Sequence, residues 1–493
     1  MEFSGLLFLY FILPLVALGY FLLPDVGRRN IFLIIIGFVL FGLCQPLYVP
    51  VLLLLIRLNF KWALKIRKGK KKTLVVPILA NLSVLFLLRY LDPVLMLAGI
   101  GSETGGVLLG LVGNVITWLN QHGFALQMPN WLAPIGFAFF ILSAISYLID
   151  VYQGKHPAEK VFRNFVLYIM LFPKLFMGPL VRYEDIRVQI QERRTNYKML
   201  LDGAMRFATG LGKKVLIADF LGRFMLEMTQ SGSTGALFGA WLYPLLMLFR
   251  IYFDFSAACD MAVGLGKIFG FKIPENFRRP FMAMSVTDFF EGWNLTVRAF
   301  FTDYVFLPLR SHKRAKGNRL FGAFAAVMLM SLWHGGSFNF LLLGIFICGI
   351  MFIELQFQDF LTDLPYWLRY VLTYLCLIFV AVLFENRDSA SIASALKAMI
   401  GNGGAVVYKD GTRFLNAIPL IGLCWLGVSD EPRKFRTKWK MLCGMTKLAK
   451  GPVHPVMPKV YAVSCALYIL GILWLCTLCR VAAPMVESVF MRF

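Results

Sequence analysis

Apolar stretches recur along the chain with short polar or basic breaks between them. Roughly 20 apolar residues in a helix cross a bilayer core, and many of these stretches approach that length. The first, residues 6–23, has no basic region before it and no small-residue cleavage site after it, so it reads as a retained helix. The second, 30–56, is interrupted at Gln45-Pro46. Proline cannot continue the backbone ladder unaided, so a turn there predicts two helices. Further apolar segments lie at 73–90, 107–119, 131–152, 161–180, 237–255, 300–309, 320–333, 338–355, 367–384, 414–426 and 460–479. Several are shorter than a full span or carry Gly and Pro, which predicts tilted, broken or re-entrant helices held inside the protein.

The expected fold class is therefore an all-α polytopic membrane protein, with about 11 transmembrane helices plus re-entrant and interfacial ones. Residues 183–206 mix charged and apolar positions and read either as an interfacial amphipathic helix pair or as a solvated loop. No fixed-period repeat and no low-complexity tract divides the chain, so residues 1–493 read as a single integral membrane domain.

Composition sharpens the class. Hydrophobic residues make up 59% of the 493 and charged ones 16%, a balance that excludes an ordinary water-exposed globular surface. The formal charge of +23 would point to nucleic acid in a soluble protein. Here the Lys and Arg residues gather in short loops between apolar runs, which is the positive-inside pattern with attraction to anionic membrane lipid, and no nucleic-acid partner is expected. If 30–56 is split, Arg28 and Arg29 fall on the same side as the eight basic residues of 57–72, a segment without any acid. That arrangement predicts an external N-terminus and cytoplasmic loops at 57–72, 187–214, 310–319 and 433–450. The nine cysteines are scattered through mostly apolar sequence without metal-site pairing and read as buried free thiols.

Among the five histidines, His122, His156, His312 and His454 stand beside polar, loop-like sequence. His334 differs, lying in Ser331-Leu332-Trp333-His334-Gly335-Gly336-Ser337-Phe338-Asn339-Phe340 between two strongly apolar runs. A titratable group at membrane depth is costly, which points to a functional site or a wet cavity; a histidine hydrogen-bonded between helices as packing is the other reading. Gly335-Gly336 removes side-chain bulk and would let a substrate approach the imidazole.

Upstream, Asp254, Asp260, Asp288, Glu291, Asn294, Arg298 and Asp303 punctuate apolar or aromatic sequence and must pair with one another or face water. Asp254 and Asp260 are six positions apart, about 600° of helical turn, so they point to different sides and do not form a catalytic carboxylate dyad. Between Asn294 and His334, a helix, a basic turn and a second helix would return the histidine toward the amide. Such a pair could supply a base and a group that orients or polarises an acyl carbonyl.

Several blocks then occur in order. They are Pro134-Ile135-Gly136, Ser146-Tyr147-Leu148-Ile149-Asp150-Val151-Tyr152, Gly178-Pro179-Leu180-Val181-Arg182-Tyr183 and Gly212-Lys213-Lys214-Val215. Next come Phe253-Asp254-Phe255-Ser256, Asp260-Met261-Ala262-Val263-Gly264-Leu265-Gly266, Phe269-Gly270-Phe271 and Pro274-Glu275-Asn276-Phe277. Asp303-Tyr304-Val305-Phe306-Leu307-Pro308-Leu309 and Trp333-His334-Gly335 follow. Together they resemble the membrane-bound O-acyltransferase superfamily, in its bacterial alginate O-acetyltransferase branch. The similarity extends from Phe3-Ser4-Gly5-Leu6 to Phe490-Met491-Arg492-Phe493.

The resemblance implies a ring of helices around a thinned centre, in a bacterial inner membrane, with a tunnel through which donor and acceptor reach the histidine from opposite faces. It implies acetyl transfer from acetyl-coenzyme A or another acyl thioester, without a bound cofactor or metal, to an exported polysaccharide such as alginate. An exported or periplasmic acyltransferase partner is expected, with a surface polysaccharide as acceptor. His334 and Asn294 become the expected catalytic residues; Trp333, Asp254, Ser256, Asp260, Asn276 and Arg182 become the expected substrate contacts.

Two departures stand out. Where relatives carry Arg-Arg-Trp-His before a Ser-Leu pair, this chain has Glu291-Gly292-Trp293-Asn294-Leu295-Thr296. Asn294 matches the residue type of eukaryotic members, so a mechanism needing two histidines is excluded and activity is not. The relatives' Gly-Tyr-Ser is here Ala257-Ala258-Cys259, with Cys259 expected as a packing substitution. D-alanyl transfer to a cell-wall polymer and a non-catalytic scaffold remain alternatives. A transporter is disfavoured by the missing inverted repeat and the Trp-His-Gly block.

Overall fold

The computed structural model describes residues 3–97, 107–123, 136–175, 177–310, 318–403, 409–445, 456–483, 486, 488 and 489. Trp131, Pro134, Ile135, His312, His454, residues 311–317 and 446–450 of the basic loops, and residues 490–493 lie outside the described residues. The described chain is helical throughout, without a strand. In lipid a backbone can satisfy its own N–H and C=O groups within one segment only as a helix.

Seven helices are long and apolar enough to span: Val26–Cys44, Pro46–Lys65, Lys72–Arg89, Leu237–Ile268, Phe338–Gln356, Tyr366–Glu385 and Met457–Ala482. Four shorter apolar helices, Phe8–Leu22, Phe137–Gln153, Arg319–His334 and Ala417–Val428, accompany them. The expected count of about 11 is met among the described residues only when the shorter set is included. The chain is an integral membrane protein of all-α fold. The break at Gln45-Pro46 is present: one helix ends at Cys44, a tight turn spans Pro46–Tyr48, and the next helix runs Val49–Lys65. None of the nine cysteines forms a disulfide.

The chain divides into two compact units. The first comprises Met1–Phe21, Arg193–Ala299 and Ile345–Phe493. At its centre is Leu237–Ile268, a 32-residue helix about 48 Å long whose most apolar window is 89% buried. Helix Tyr197–Gly212 lies close against it, because glycines stand where the backbones meet. A Cβ on Gly264 would come within 2.6 Å of the Phe207 nitrogen, and one on Gly210 within 2.7 Å of the Ala257 oxygen. Without a hydrophobic drive between helices in lipid, such close backbone approach supplies the van der Waals attraction. The segment 183–206 does form two helices, Tyr183–Gln191 and Tyr197–Gly212. The second is a packed helix rather than an interfacial one, with Gly203, Met205, Phe207 and Leu211 all buried.

A buried ionic chain ties this unit together. Lys214 donates to Asp254 at 2.8 Å and faces Asp219 at 3.1 Å; Arg480 reaches Asp219 at 2.7 Å and donates to Ser4 Oγ at 2.8 Å. Isolated charges could not be held at these positions, but pairing joins four separate parts of the chain.

The second unit comprises Leu22–Glu192 and Phe300–Gly344. Helix Phe137–Gln153 is buried along much of its length, and Gly37 of Val26–Cys44 meets the backbone of Met170, where a Cβ would approach the carbonyl oxygen to 2.2 Å. Asn59 and Asn81, both fully buried, exchange amide hydrogen bonds at 3.0 and 2.8 Å between the helices Val49–Lys65 and Lys72–Arg89. Each amide also donates to a carbonyl one turn earlier in its own helix. Polar pairs of this kind register adjacent helices in an apolar medium.

Candidate functional site

The expected site residues fall in both units, and each group is built within its own. In the second unit His334 closes helix Asn318–His334, and Gly335-Gly336-Ser337 turns the chain into Phe338–Gln356. A helix end leaves carbonyls without intrahelical donors. Here two side chains from the end of another span supply them: Arg89 Nη2 donates to the His334 carbonyl at 2.6 Å and the Tyr90 hydroxyl to the Leu332 carbonyl at 2.9 Å. The guanidinium also sits where the helix dipole favours a cation.

Within the turn, Ser331 Oγ donates to the Phe340 carbonyl at 2.7 Å and the Phe340 N–H to the Ser337 carbonyl at 3.1 Å. The His334 ring lies 6.0 Å from the Phe340 ring at a 24° tilt and 5.2 Å from Trp333. Gly335 does not leave open space for a substrate, as the sequence suggested. A Cβ there would meet the Phe340 ring at 2.6 Å, so the missing side chain makes room for the aromatic that flanks the imidazole. Trp333 is buried edge-on against Phe139 at 5.0 Å, and its indole N–H has no hydrogen-bond partner among the described residues.

Arg182, in the same unit, caps helix Tyr183–Gln191: its N–H donates to Asp185 Oδ2 at 2.8 Å. Burial pushes the Asp185 carboxyl above its ordinary range, while that N–H pulls the other way. The guanidinium pairs with Asp303 at 2.7 Å and lies 5.1 Å from the Tyr304 ring centre; Tyr304 in turn donates to Asp150, which also holds Lys155 at 2.7 Å. Nη2 of Arg182 is buried without a partner among the described residues. His156, which the sequence placed beside loop-like polar residues, is buried with its ring 5.5 Å from Tyr147 and 5.1 Å from Tyr183.

In the first unit Asn294 adopts a left-handed backbone, φ 44°, just before helix Leu295–Phe301. Asparagine tolerates that region better than most residues. Asn276 locks the turn. Its carbonyl accepts from the Leu295 N–H at 2.9 Å, and its side-chain oxygen accepts from the Thr296 N–H at 3.1 Å and hydroxyl at 2.7 Å. Its amide nitrogen donates to Asn294 Oδ1 at 3.0 Å and to Cys259 Sγ at 3.3 Å. Cys259 is thus not packing alone: its sulfur accepts the second amide hydrogen.

The two aspartates face different partners, as their spacing required. Asp254 accepts from Lys214 at 2.8 Å, from Ser488 Oγ at 2.5 Å and from the Val489 N–H at 2.8 Å. Asp260 pairs with Arg206 and Lys213, each at 2.8 Å, and Lys213 also reaches Ser256 Oγ at 3.4 Å. Arg206 bonds Glu275 as well. Trp333 and His334 are brought together in one unit; Asn294 and Asn276 in the other, where Asp260 and Ser256 share Lys213. Sequence reasoning missed Arg89, Tyr90 and Cys259. The one available signal for the first two was a charged residue and a phenol closing an apolar run.

An all-α membrane protein carrying a histidine at an apolar helix end and ion-paired carboxylates inside its helices belongs with enzymes that act at the membrane rather than with soluble transferases. The sequence profile of the membrane-bound O-acyltransferase family matches residues 159–384, which include Asn294 and His334. We place the chain in that family, as an O-acyltransferase.

Relatives agree. The "Probable alginate O-acetylase" of Pseudomonas syringae pv. tomato is 28% identical over 402 residues, 79% of this chain and 73% of the relative. The "Peptidoglycan O-acetyltransferase" of Helicobacter pylori is 26% identical over 460 residues, 84% of this chain and 83% of the relative. The "Teichoic acid D-alanyltransferase" of Bacillus subtilis is 24% identical over 232 residues, 45% of this chain and 59% of the relative.

Proposed function

We propose that this chain moves acetyl from a cytoplasmic acyl thioester such as acetyl-coenzyme A across a bacterial inner membrane, for O-acetylation of an exported polysaccharide such as alginate. The observation that carries the reading is His334, set at an apolar helix end between Trp333 and Phe340, with its backbone held by Arg89. In this reading His334 acts as general base. It takes the proton of the attacking hydroxyl as that oxygen bonds to the acyl carbon, and returns it to the thiolate as the carbon–sulfur bond breaks. Asn294, in the first unit, is the second residue of this reading; Trp333 and Arg182 in the second unit, and Asp254, Ser256, Asp260 and Asn276 in the first, contact substrate or support groups of their own unit that do.

The basic loop 310–319, on the cytoplasmic side in this reading, attracts the anionic donor, with the N-terminus outside. An exported or periplasmic acyltransferase partner receives the group and passes it to the glycan. The relatives named as O-acetyl-transferring enzymes match more of the chain than the D-alanyltransferase does, which favours acetyl. Proteoliposomes holding acetyl-coenzyme A on one face and a glycan with its partner protein on the other test the direction. Transfer should appear opposite the donor and vanish in His334→Ala, with the variant still folded. Absence of thioester consumption by the unaltered protein would leave the scaffold reading instead, consumption unaffected by His334→Ala would remove the histidine from catalysis, and acetylation confined to the donor's own face would overturn vectorial transfer.

A further inference from the structure

Helix Glu431–Leu442 follows the apolar segment Ala417–Val428 and precedes the span Met457–Ala482, all within the first unit. At about 100° per residue its side chains divide into three directions. Arg436, Trp439 and Lys440 share the one that faces the protein. Arg436 and Lys440 reach Asp202 at 3.5 and 2.8 Å, and the Trp439 indole N–H donates to Ser464 Oγ at 2.9 Å. Phe435, Lys438 and Leu442 share a second direction, about 120° away. The protein leaves it open: Phe435 is 72% exposed and Leu442 68%. Glu431 shares this direction at the first position and is paired with Lys434 at 2.7 Å. Arg433, Lys434 and Thr437, all exposed, point along the third.

The hydrogen bond from Trp439 sets the depth of the helix. Ser464 is the eighth residue of a 26-residue span, about 39 Å long against a hydrocarbon core of roughly 30 Å. Trp439 is thus held within about 10 Å of the span's first turn, where Lys459 stands, which is the depth at which amphipathic helices lie in a leaflet. The helix carries five Lys and Arg against the single acid Glu431. Two of the five, Arg433 and Lys438, enter no salt bridge among the described residues. We infer that helix Glu431–Leu442 lies in the surface of an anionic phospholipid leaflet, with Phe435 and Leu442 among the first acyl carbons and Arg433 and Lys438 on lipid phosphates. Lys438 stands between the two apolar residues, and its long stem lets it lie along hydrocarbon while the ammonium reaches the headgroups. An acidic soluble partner would suit the basic direction alone and would leave the apolar one bare. The inference goes beyond the acyl-transfer reading and is measured without turnover.

Photo-crosslinking of the full chain in phosphatidylcholine nanodiscs tests it. The tracer lipid carries a diazirine near its glycerol esters and has either a phosphatidylglycerol or a phosphatidylcholine headgroup, and adducts are mapped by peptide mass. Within residues 431–442 they should fall on Phe435, Lys438 and Leu442, at least threefold above Lys434 and Thr437. The phosphatidylglycerol tracer should label Phe435 and Leu442 at least threefold more than the phosphatidylcholine tracer. Each Lys or Arg near an anionic surface raises association roughly fivefold, so Arg433→Gln combined with Lys438→Gln should bring the two tracers to parity at Phe435 and Leu442. Labelling of the unaltered protein stands whether or not that variant folds. Absence of adducts on Phe435 and Leu442, or labelling as strong on Thr437, would overturn the insertion and leave this face to a soluble partner. Equal labelling of the unaltered protein by the two tracers, or a preference unchanged in the variant, would overturn the recognition of anionic lipid.

Discussion

Asn276 has nothing left to offer a substrate. A side-chain amide has two N–H donors and an oxygen with two lone pairs. Here both donors are engaged, by Asn294 and Cys259, and both lone pairs, by the Thr296 N–H and hydroxyl. The residue is 1% exposed, so water cannot substitute for any of the four. Asn276→Ala removes all of them and leaves Oδ1 of Asn294 without this donor. At about 1 kcal/mol per bond the expected loss of folding stability is about 4 kcal/mol. Asn276→Asp keeps the oxygen contacts, removes both donors and sets a carboxylate against Asn294 Oδ1, so about 2 kcal/mol is expected. Unfolding in detergent by heat or denaturant reads these values. Steady-state thioester kinetics on surviving protein should show a reduced kcat, because Asn294 is no longer fixed, with the KM for donor and acceptor within twofold of the parent. A tenfold rise in either KM with stability unchanged would refute the reasoning and make Asn276 a substrate contact.

Asp254→Ala should cost about 3 kcal/mol through the loss of a buried ion-pair partner, measured by the same unfolding assay, with proteolysis of the C-terminal segment accelerated. Gly264→Ala should destabilise by about 1–3 kcal/mol, since its Cβ would strike backbone atoms that cannot move aside. Gly422→Ala, with nothing within 4 Å of its Cβ, should leave the unfolding midpoint unchanged and serves as the control. Arg89→Met should lower acyl transfer at least tenfold by freeing the helix end that carries His334, with donor affinity retained; unchanged turnover would show that the cap is dispensable.

Much of the architecture was legible because lipid enforces local rules. Apolar length marked the spans, and Pro46, unable to donate to the helix ladder, marked the break between Cys44 and Val49. The six-residue spacing of Asp254 and Asp260 correctly separated their partners. What was not legible is pairing at a distance. Arg89 and His334 stand 245 positions apart, and nothing near either residue says that one closes the other's helix. Glycine was ambiguous for the same reason: a missing side chain signals room but not its occupant, and at Gly335 the occupant is Phe340. His156 stood beside loop-like sequence, which carries no sign that aromatic rings enclose it.

The hold of Ser488 and Val489 on Asp254 also has a meaning in time. Ser488 comes 234 residues after the carboxylate it donates to. At 5–20 residues per second, the ribosome reaches it roughly 10–50 s after Asp254 has been made. Through that interval Lys214 is already present, but the two C-terminal donors do not yet exist, so the growing chain carries a buried acid with an incomplete set of partners. The first unit can reach its final packing only once synthesis has passed that point, and a chain stalled before Ser488 is chemically distinguishable at its own centre from one that has passed it. For a protein threaded into a membrane segment by segment, this makes part of the core's hydrogen bonding wait on residues made long after the carboxylate they hold.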